Sequence, residues 1–263
     1  MIPFPDIDPN LIEIGPLKVR WYGLMYALGF LASYILVSLQ DRARRIGLRG
    51  SALQDMILYL VIGLIIGARL GYILFYQFNN YADYLRHPLE IIAVWHGGMS
   101  FHGGLIGALT AGWLFCRIRR LPTWQAADAF IVTAPVGIGL GRIGNFINGE
   151  LFGRPAGVPW AMVFPMGGPQ PRHPSQLYEA LLEGLILFIL LWRLKECRFR
   201  PGAMVCFFIG GYGLMRFIVE FFREPDPQVG LFWQGLSMGQ ILSLIMLFGA
   251  FILWKFLPKS APP

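Results

Sequence analysis

The chain has 263 residues, of which 56% are hydrophobic and only 14% are charged, and its mean hydropathy is +0.55. Soluble domains carry about 25% charged residues, so this composition indicates a chain surrounded by lipid and excludes an ordinary soluble domain. The net charge of +7 does not indicate nucleic-acid binding, because the lysines and arginines cluster between apolar stretches instead of forming one basic face.

Seven apolar stretches approach the roughly 20 residues that an α-helix needs to cross the hydrocarbon of a bilayer. They lie near 20–38, 55–76, 99–116, 125–141, 179–194, 202–222 and 237–257. We therefore predict an all-α polytopic membrane protein with about seven transmembrane helices. Too little polar sequence remains for a separate soluble domain, so residues 1–263 are expected to form a single transmembrane domain.

The loops between these stretches differ in their content of Lys and Arg, which predicts the orientation of the chain. The loops after the first, third and fifth stretches and the segment after the seventh contain thirteen basic residues, against seven in the other loops. The first set is therefore expected in the cytoplasm, with the N-terminus outside and the C-terminus cytoplasmic. The long loop 142–178 is rich in Gly and Pro and is predicted to be a small external cap.

The second and third stretches carry a small residue at every fourth position, a spacing that lets helices approach closely. These residues are Gly63, Gly67, Gly71, Gly103, Gly107 and Ala111. We interpret them as packing positions, with a ligand-facing role as the alternative. The string from Gly139 to Gly144 matches GxGxxG, but it ends an apolar stretch and follows no strand, so it does not predict a dinucleotide site.

Polar and ionisable residues in or beside these stretches are candidates for function, because a charge in hydrocarbon needs a partner, water or a ligand. In chain order they are Tyr22, Arg69, His102, Arg142, Asn145, Asn148, Glu150, Glu179, Glu183, Tyr212, Arg216 and Glu220. Tyr212, Arg216 and Glu220 recur every four residues and so share one helix face. Arg216 lies about 9 Å below the outer end of its stretch, and His102 and Arg142 lie at the outer ends of theirs. All three are expected in the outer half of the membrane.

Arginines at this depth favour an anionic ligand, because a guanidinium group matches the oxygens of a phosphate. A phosphate at the level of the outer headgroups is most simply that of a phospholipid. The alternative interpretation is structural, with Arg142 paired to Glu150 and Arg216 paired to Glu220 as ties between helices.

Other interpretations also stay open at this point. Glu179 and Glu183 are expected to be structural, and His102 is either a packing residue in a glycine-rich turn or a catalytic one. A lipid or anion transporter would also use membrane arginines, but the two halves of this chain show no internal symmetry. An intramembrane hydrolase could use Ser100 with His102, although that pair lacks a GxSxG-type context.

Six strings of the sequence resemble the bacterial prolipoprotein diacylglyceryl transferases. They are WYGLMYALGF, GGMSFHGGLIG, GRIGNFINGELFGR, RHPSQLYEALLEG, GYGLMRFIVEFFREPD and SMGQILS, and they occur in order across nearly the whole chain. The resemblance implies a seven-span enzyme of the bacterial inner membrane. Such an enzyme transfers diacylglyceryl from phosphatidylglycerol to the signal-peptide cysteine of a preprolipoprotein and releases glycerol 1-phosphate, the first step of lipoprotein maturation.

The chemistry of this transfer suggests roles for the candidate residues. Arg142 and Arg216 would stabilise negative charge on the leaving phosphate, and His102 would take the proton of the thiol, since imidazole titrates near neutral pH. Glu150 and Glu220 would orient the arginines. The set expected to bind substrate is Tyr22, Asn145, Asn148, Glu150, Tyr212 and Glu220. The reaction needs no metal ion and no cofactor.

Overall fold

The computed structural model describes residues 2–5, 7–14, 17–77, 81–225, 231–232 and 235–258. The chain forms two compact units, one consisting of Met1–Arg42 with Ala127–Pro263 and the other of Ala43–Ala126. Helices predominate in both units.

The longer of the described α-helices lie in the apolar stretches, and the shortest ones lie between them. In chain order they are α1 (Trp21–Ser38), α2 (Asp41–Arg45), α3 (Ser51–Tyr76), α4 (Tyr81–Arg86), α5 (Leu89–Ile92), α6 (Phe101–Ile118), α7 (Thr123–Ile131), α8 (Ala134–Ile147), α9 (Ser175–Glu179), α10 (Leu187–Leu194), α11 (Ala203–Val219) and α12 (Met238–Phe256). A 3₁₀ turn covers Val94–His96, and a π-helical segment, Ala180–Ile186, joins α9 to α10.

Among the described residues, three two-stranded sheets lie in the loops of the first unit. Strand β1 (Ile2–Pro3) pairs in parallel with β4 (Met162–Val163). Strand β2 (Asn10–Ile14) pairs antiparallel with β3 (Leu17–Arg20), and β5 (Leu231–Phe232) pairs antiparallel with β6 (Leu236–Ser237). The pairing of β1 with β4 joins the N-terminal residues to the predicted cap loop.

Four helical segments within the described residues are long and apolar enough to cross a membrane, as judged by length and composition. They are Trp21–Ser38, Ser51–Tyr76, Thr123–Ile147 and Met238–Phe256, and α11 is apolar but shorter. Large apolar side chains are exposed along these helices, for example Phe75 at 71% and Phe248 at 65%. An exposed apolar surface of this kind suits lipid rather than water. The structure thus agrees with an all-α membrane protein.

Two helix starts in the first unit are capped by side chains. Helix α12 begins with a capping box, in which Ser237 Oγ accepts from the Gln240 backbone N–H (3.2 Å) and Gln240 Oε1 accepts from the Ser237 N–H (3.0 Å). Helix α11 begins after Gly202, and the buried Asp128 carboxylate accepts from the backbone N–H groups of Gly202 (2.8 Å) and Val205 (3.2 Å). Both caps satisfy backbone donors that have no partner within the helix.

In the first unit α8 packs against α1 and the π-helical segment, and α11 packs against α10 and α12. The contact of α8 with the π-helical segment is a backbone contact, because a Cβ atom built on Gly184 would lie 2.7 Å from Gly139 Cα. A side chain at either glycine would push the two elements apart. This close approach brings residues near the C-terminal end of α8, including Arg142, beside Glu179 and Glu183.

In the second unit α3 packs against α6 through the small residues noted in the sequence. A Cβ atom at Gly71 would lie 2.7 Å from Gly103 Cα, and one at Gly67 would lie 2.7 Å from Gly107 Cα. Backbones that approach this closely leave no room for larger side chains. The packing interpretation of these glycines is confirmed.

Arg69 on α3 is buried and donates to backbone carbonyls of the segment that precedes α6. Its acceptors include the oxygens of Ile91 (3.0 Å), Glu90 (2.5 Å), Gly97 (2.5 Å) and Gly98 (3.1 Å). The charge is therefore solvated by backbone dipoles, which orders residues 90–98. Arg69 acts as a structural arginine in this unit.

Candidate functional site

A buried cluster of charged side chains in the first unit is centred on Glu179, the last residue of α9. Its carboxylate is fully buried, with 0% of the side chain exposed. Arg216 Nη1 and Arg223 Nη1 donate to Glu179 Oε1, the latter over 3.1 Å. Arg142 Nε lies 3.0 Å from Glu179 Oε2. One carboxylate thus holds arginines from α8, α11 and the segment after α11.

Glu183 lies one helical turn after Glu179 and is also fully buried. It contacts the same arginines at longer range, with Oε2 3.9 Å from Arg142 Nη2 and Oε1 3.7 Å from Arg216 Nη1. Residues four apart share a helix face, and the π-helical segment carries that face toward α8 and α11. Glu183 therefore adds negative charge beside the arginines without a close contact.

Glu220 is the second close partner of Arg216. Arg216 Nη2 lies 2.8 Å from Glu220 Oε2, and Ser237 Oγ donates to Glu220 Oε1 over 3.0 Å. The two residues are four apart at the end of α11, so their side chains meet on one face. Arg216 is consequently fixed from two sides, by Glu179 and by Glu220.

The cluster is electrically balanced and leaves several guanidinium donors unused. Three arginines face three glutamates, which suits a buried site because unpaired ions are costly to desolvate. Within the described residues, Nη1 and Nη2 of Arg142 and Nε of Arg216 make no hydrogen bond, and the two arginine side chains keep 19% and 14% exposure. Each arginine can therefore bind an anion without giving up its contacts to Glu179.

The residues that follow Arg142 form a second polar group at the end of α8. Asn145 Nδ2 donates to Glu150 Oε1 over 2.9 Å, and Asn148 Nδ2 donates to the same oxygen over 3.1 Å. Gln176 Nε2 donates to the backbone oxygen of Glu150 over 2.6 Å. The Asn148 Oδ1 atom is buried and has no hydrogen-bond partner among the described residues.

Two tyrosines lie at the edges of these groups. Tyr22 on α1 packs over Gly144, where a Cβ atom would lie 3.1 Å from the Tyr22 ring, and its hydroxyl is 3.2 Å from that of Tyr26. Tyr212 on α11 lies close enough to Glu183 and Arg142 to interact with both electrostatically. The structure thus brings Tyr22, Asn145, Asn148 and Glu150 to the end of α8, and Tyr212 to the arginine cluster.

The expected pairing of Arg142 with Glu150 is wrong. Arg142 pairs with Glu179 and Glu183, while the Glu150 carboxylate accepts from two asparagines. The reason is geometric: α8 ends at Ile147, and the chain then turns so that Glu150 folds back onto the asparagine side chains. Glu150 therefore orients Asn145 and Asn148, and Glu179 takes the role of orienting Arg142.

His102 belongs to the other compact unit, where it is the second residue of α6. Its side chain is exposed, and its ring meets the Phe101 ring edge-on with centroids 5.6 Å apart. Ser100, just before α6, caps the helix by accepting from the Gly103 N–H over 3.2 Å. An exposed imidazole at a helix start is accessible to a reacting group, and its role as base stays a prediction.

The predicted loop 142–178 is shorter in the structure, because α8 continues to Ile147 and α9 begins at Ser175. The remaining loop, residues 148–174, is tied to the segment that carries Arg223. Arg172 donates to the Gly167 oxygen (2.9 Å) and the Gly153 oxygen (3.2 Å), and its Nη1 lies 2.9 Å from Glu224 Oε2. Arg154 Nε donates to the backbone oxygen of Arg223 over 2.9 Å. The loop is therefore an ordered element that holds one of the three arginines of the cluster in place.

His173 lies in the same loop and shares a hydrogen bond with the Tyr178 hydroxyl over 3.0 Å. Burial lowers the pKa of His173, because the imidazolium form loses hydration. The neutral ring is thus favoured near neutral pH, which suits its contacts with the Tyr178 and Phe222 rings.

Comparison with known proteins identifies the family. A family model described as prolipoprotein diacylglyceryl transferase matches residues 9–256. The chain belongs to this family. The resemblance drawn from its motifs is thereby confirmed.

Relatives in the transferase family are similar over nearly the full length of the chain. A phosphatidylglycerol–prolipoprotein diacylglyceryl transferase of Rhodospirillum rubrum is 51% identical over 266 residues, covering 99% of this chain and 96% of the relative. One of Geobacter sulfurreducens is 54% identical over 244 residues, with 92% of each chain covered. One of Desulfotalea psychrophila is 48% identical over 256 residues, covering 95% of this chain and 93% of the relative.

Sequence reasoning missed the central position of Glu179 and left out Arg223. Both lie within the motifs that resemble the transferase family, RHPSQLYEALLEG and GYGLMRFIVEFFREPD. A signal was present in the pair Glu179 and Glu183, since two acidic residues four apart at the start of an apolar stretch need positive partners. Arg142 and Arg216 were available as those partners.

Replacing Glu179 by glutamine is expected to destabilise this transferase-family protein strongly. The change leaves three largely buried arginines with one fewer counter-charge, and breaking a buried ion pair costs about 3–5 kcal/mol. The thermal midpoint of unfolding in detergent should fall, together with the amount of protein in the membrane.

Glu183→Gln is the matched control, because Glu183 lies on the same face but contacts the arginines only at 3.7–3.9 Å. It should lower the midpoint much less. Equal midpoints for the two variants would contradict a central role for Glu179.

Proposed function

We propose that this chain transfers the diacylglyceryl group of phosphatidylglycerol to the cysteine thiol of a prolipoprotein signal peptide. The observation that carries the proposal is the arginine pair Arg142 and Arg216, held by Glu179, with unused donors on both guanidinium groups. A partly exposed pair of this kind suits a phosphate ester that gains charge during reaction. The names of the relatives agree, since they state both substrates.

The transfer exchanges one bond for another. The cysteine sulfur attacks the carbon of the diacylglyceryl group that bears the phosphate. A C–S thioether bond forms, and the C–O bond between that carbon and the phosphate breaks. Its electron pair leaves with glycerol 1-phosphate. Arg142 and Arg216 would stabilise the charge on that phosphate, which is worth more in a site with little water. The chemistry proposed here uses no metal ion and no cofactor.

The thiol must lose its proton, because the thiolate is the nucleophile. We assign this step to His102. Tyr22, Asn145, Asn148 and Tyr212 are assigned to the lipid headgroup as hydrogen-bond donors. Glu220 is assigned to the orientation of Arg216, and Glu150 to the orientation of the two asparagines that it accepts from.

The orientation proposed for the chain follows the distribution of its basic residues. We propose one transmembrane domain of seven spans in the bacterial inner membrane, with loop 142–178 as the external cap, the N-terminus outside and the C-terminus in the cytoplasm. The apolar helices of the structure support a membrane location. An external cap would put the arginine cluster within reach of outer-leaflet phospholipid.

Cysteine labelling in spheroplasts is expected to reach the cap and not the loop after α10. Cys197 is exposed and lies in the proposed cytoplasmic loop, so a membrane-impermeant maleimide should not label it. Gly157 is exposed in the cap loop and has open space for a side chain. Gly157→Cys in a Cys197→Ser background should therefore label in intact spheroplasts.

Lysed membranes provide the control. Cys197 of the wild-type protein and the introduced cysteine of the Gly157→Cys variant should then both react. Labelling of Cys197 in intact spheroplasts, without labelling of the Gly157→Cys variant, would reverse the proposed orientation. It would also remove the argument that the arginines face the outer leaflet.

The activity itself is tested with purified protein and phosphatidylglycerol in detergent. Transfer to a peptide that contains the signal-peptide cysteine supports the proposal, and the same peptide with serine in place of cysteine is the control. Release of glycerol 1-phosphate with water alone would instead identify a hydrolase. A protein that binds the lipid but converts it neither with the peptide nor with water would favour a transporter.

A further inference from the structure

The Glu220 carboxylate lies against the first turn of α12. Ser237, the residue that caps this helix, donates its hydroxyl to Glu220 Oε1 over 3.0 Å. Glu220 is 4% exposed and Ser237 is 2% exposed, so the contact is shielded from water. The N-terminal end of a helix stabilises a nearby anion through its unpaired N–H groups. Helix α12 thus holds the carboxylate that in turn holds Arg216.

Gly239, in the first turn of α12, is the residue that leaves room for this carboxylate. A Cβ atom at position 239 would lie 2.5 Å from Glu220 Cδ, 2.6 Å from Oε1 and 2.7 Å from Oε2. These distances are far below van der Waals contact. Any side chain at position 239 would therefore displace the Glu220 carboxylate.

Displacement of Glu220 would act on Arg216. Arg216 Nη2 lies 2.8 Å from Glu220 Oε2, while Nη1 contacts Glu179. With Glu220 withdrawn, Arg216 would keep one anchor in place of two, and its guanidinium plane could rotate about that anchor. A reaction can slow about 100-fold when a catalytic group is misplaced by about 1 Å.

We propose that Gly239 is a positioning residue for the transfer reaction, acting through Glu220 on Arg216. This inference rests on the proposed function, in which Arg216 stabilises the charge on the leaving phosphate. Gly239 touches no reacting atom. Its contribution is the missing side chain, which lets the start of α12 and the end of α11 share one carboxylate.

The test compares Gly239→Ala with Gly249→Ala on the same helix. Gly249 has open space around its Cβ position, so its substitution adds the same methyl group to the interior of the same helix without touching Glu220. The Glu220 side chain is flexible and can move aside, so Gly239→Ala should fold. Its kcat should fall about 10- to 100-fold with little change in KM, the result expected when transition-state contacts are lost. Gly249→Ala should keep both constants.

A second comparison separates positioning from general packing. In a Glu220→Ala background the added methyl group meets no carboxylate, so Gly239→Ala should change kcat less than about twofold. The inference is overturned if Gly239→Ala keeps the wild-type kcat, or if both glycine variants lose activity equally. Absence of transfer in the wild-type protein would count against the proposed function itself.

Discussion

Replacement of Arg142 or Arg216 by lysine is expected to lower transfer activity about 10²- to 10³-fold, the loss typical when one donor to a charged transition state is removed. Lysine keeps the positive charge but offers a point charge in place of a planar fork. Arg216 contacts Glu179 and Glu220 through two different nitrogens, and Arg142 approaches Glu179 and Glu183 in the same way. A single ammonium group cannot make both contacts and also bind phosphate.

The measurement is the rate of transfer from phosphatidylglycerol to an acceptor peptide, with the thermal midpoint recorded for each variant. Arg119→Lys is the control, because Arg119 pairs with Asp55 at an exposed site over 2.5 Å and should tolerate the change. A purely structural pair of arginines would give another result. Lysine variants with wild-type turnover, next to alanine variants that fail to accumulate, would support that interpretation.

Replacement of His102 by glutamine is expected to slow transfer about 10²- to 10⁴-fold while lipid binding is kept, as for the loss of a general base. Glutamine retains size and polarity but cannot take a proton. The exposed position of His102 at the start of α6 suggests that the change will not disturb packing. Lipid affinity and transfer rate should be measured on the same purified variant.

The pH dependence of the glutamine variant gives an independent test of the same role. An ordinary cysteine thiol ionises near pH ~8.5, so raising the pH should partly restore the rate without a base. Loss of lipid binding in parallel with the rate, with no recovery at high pH, would make His102 a headgroup ligand. Water or a carboxylate such as Glu220 would then take the proton.

The helical packing could be anticipated because it depends on short-range spacing. Gly67 and Gly107 belong to runs of small residues four apart, and such runs meet wherever two apolar helices are neighbours. The close contact of Gly139 with Gly184 was not anticipated. Gly139 lies in a string that matches a dinucleotide motif without predicting a packing contact, and the π-helical segment that carries Gly184 leaves no periodic signal in the sequence.

The partners of the arginines could not be read from the sequence with the same success. Glu150 is eight residues from Arg142 and is the nearer acidic residue along the chain, whereas Glu179 is the nearer one in space. The i, i+4 pair of Arg216 and Glu220 was anticipated because it depends on one helix alone.

The sequence by itself determined that the chain is a helical membrane protein of this transferase family, and it supplied most of the candidate residues. Hydropathy, small-residue spacing and motifs are local properties that can be recognised without knowledge of the fold. Only the tertiary structure decided that Glu179 is the centre of the site. That position depends on contacts between residues 37 and 44 apart in the chain. A difference of a few ångströms decides which carboxylate an arginine meets, because charge pairing in a buried site is effective only at short range.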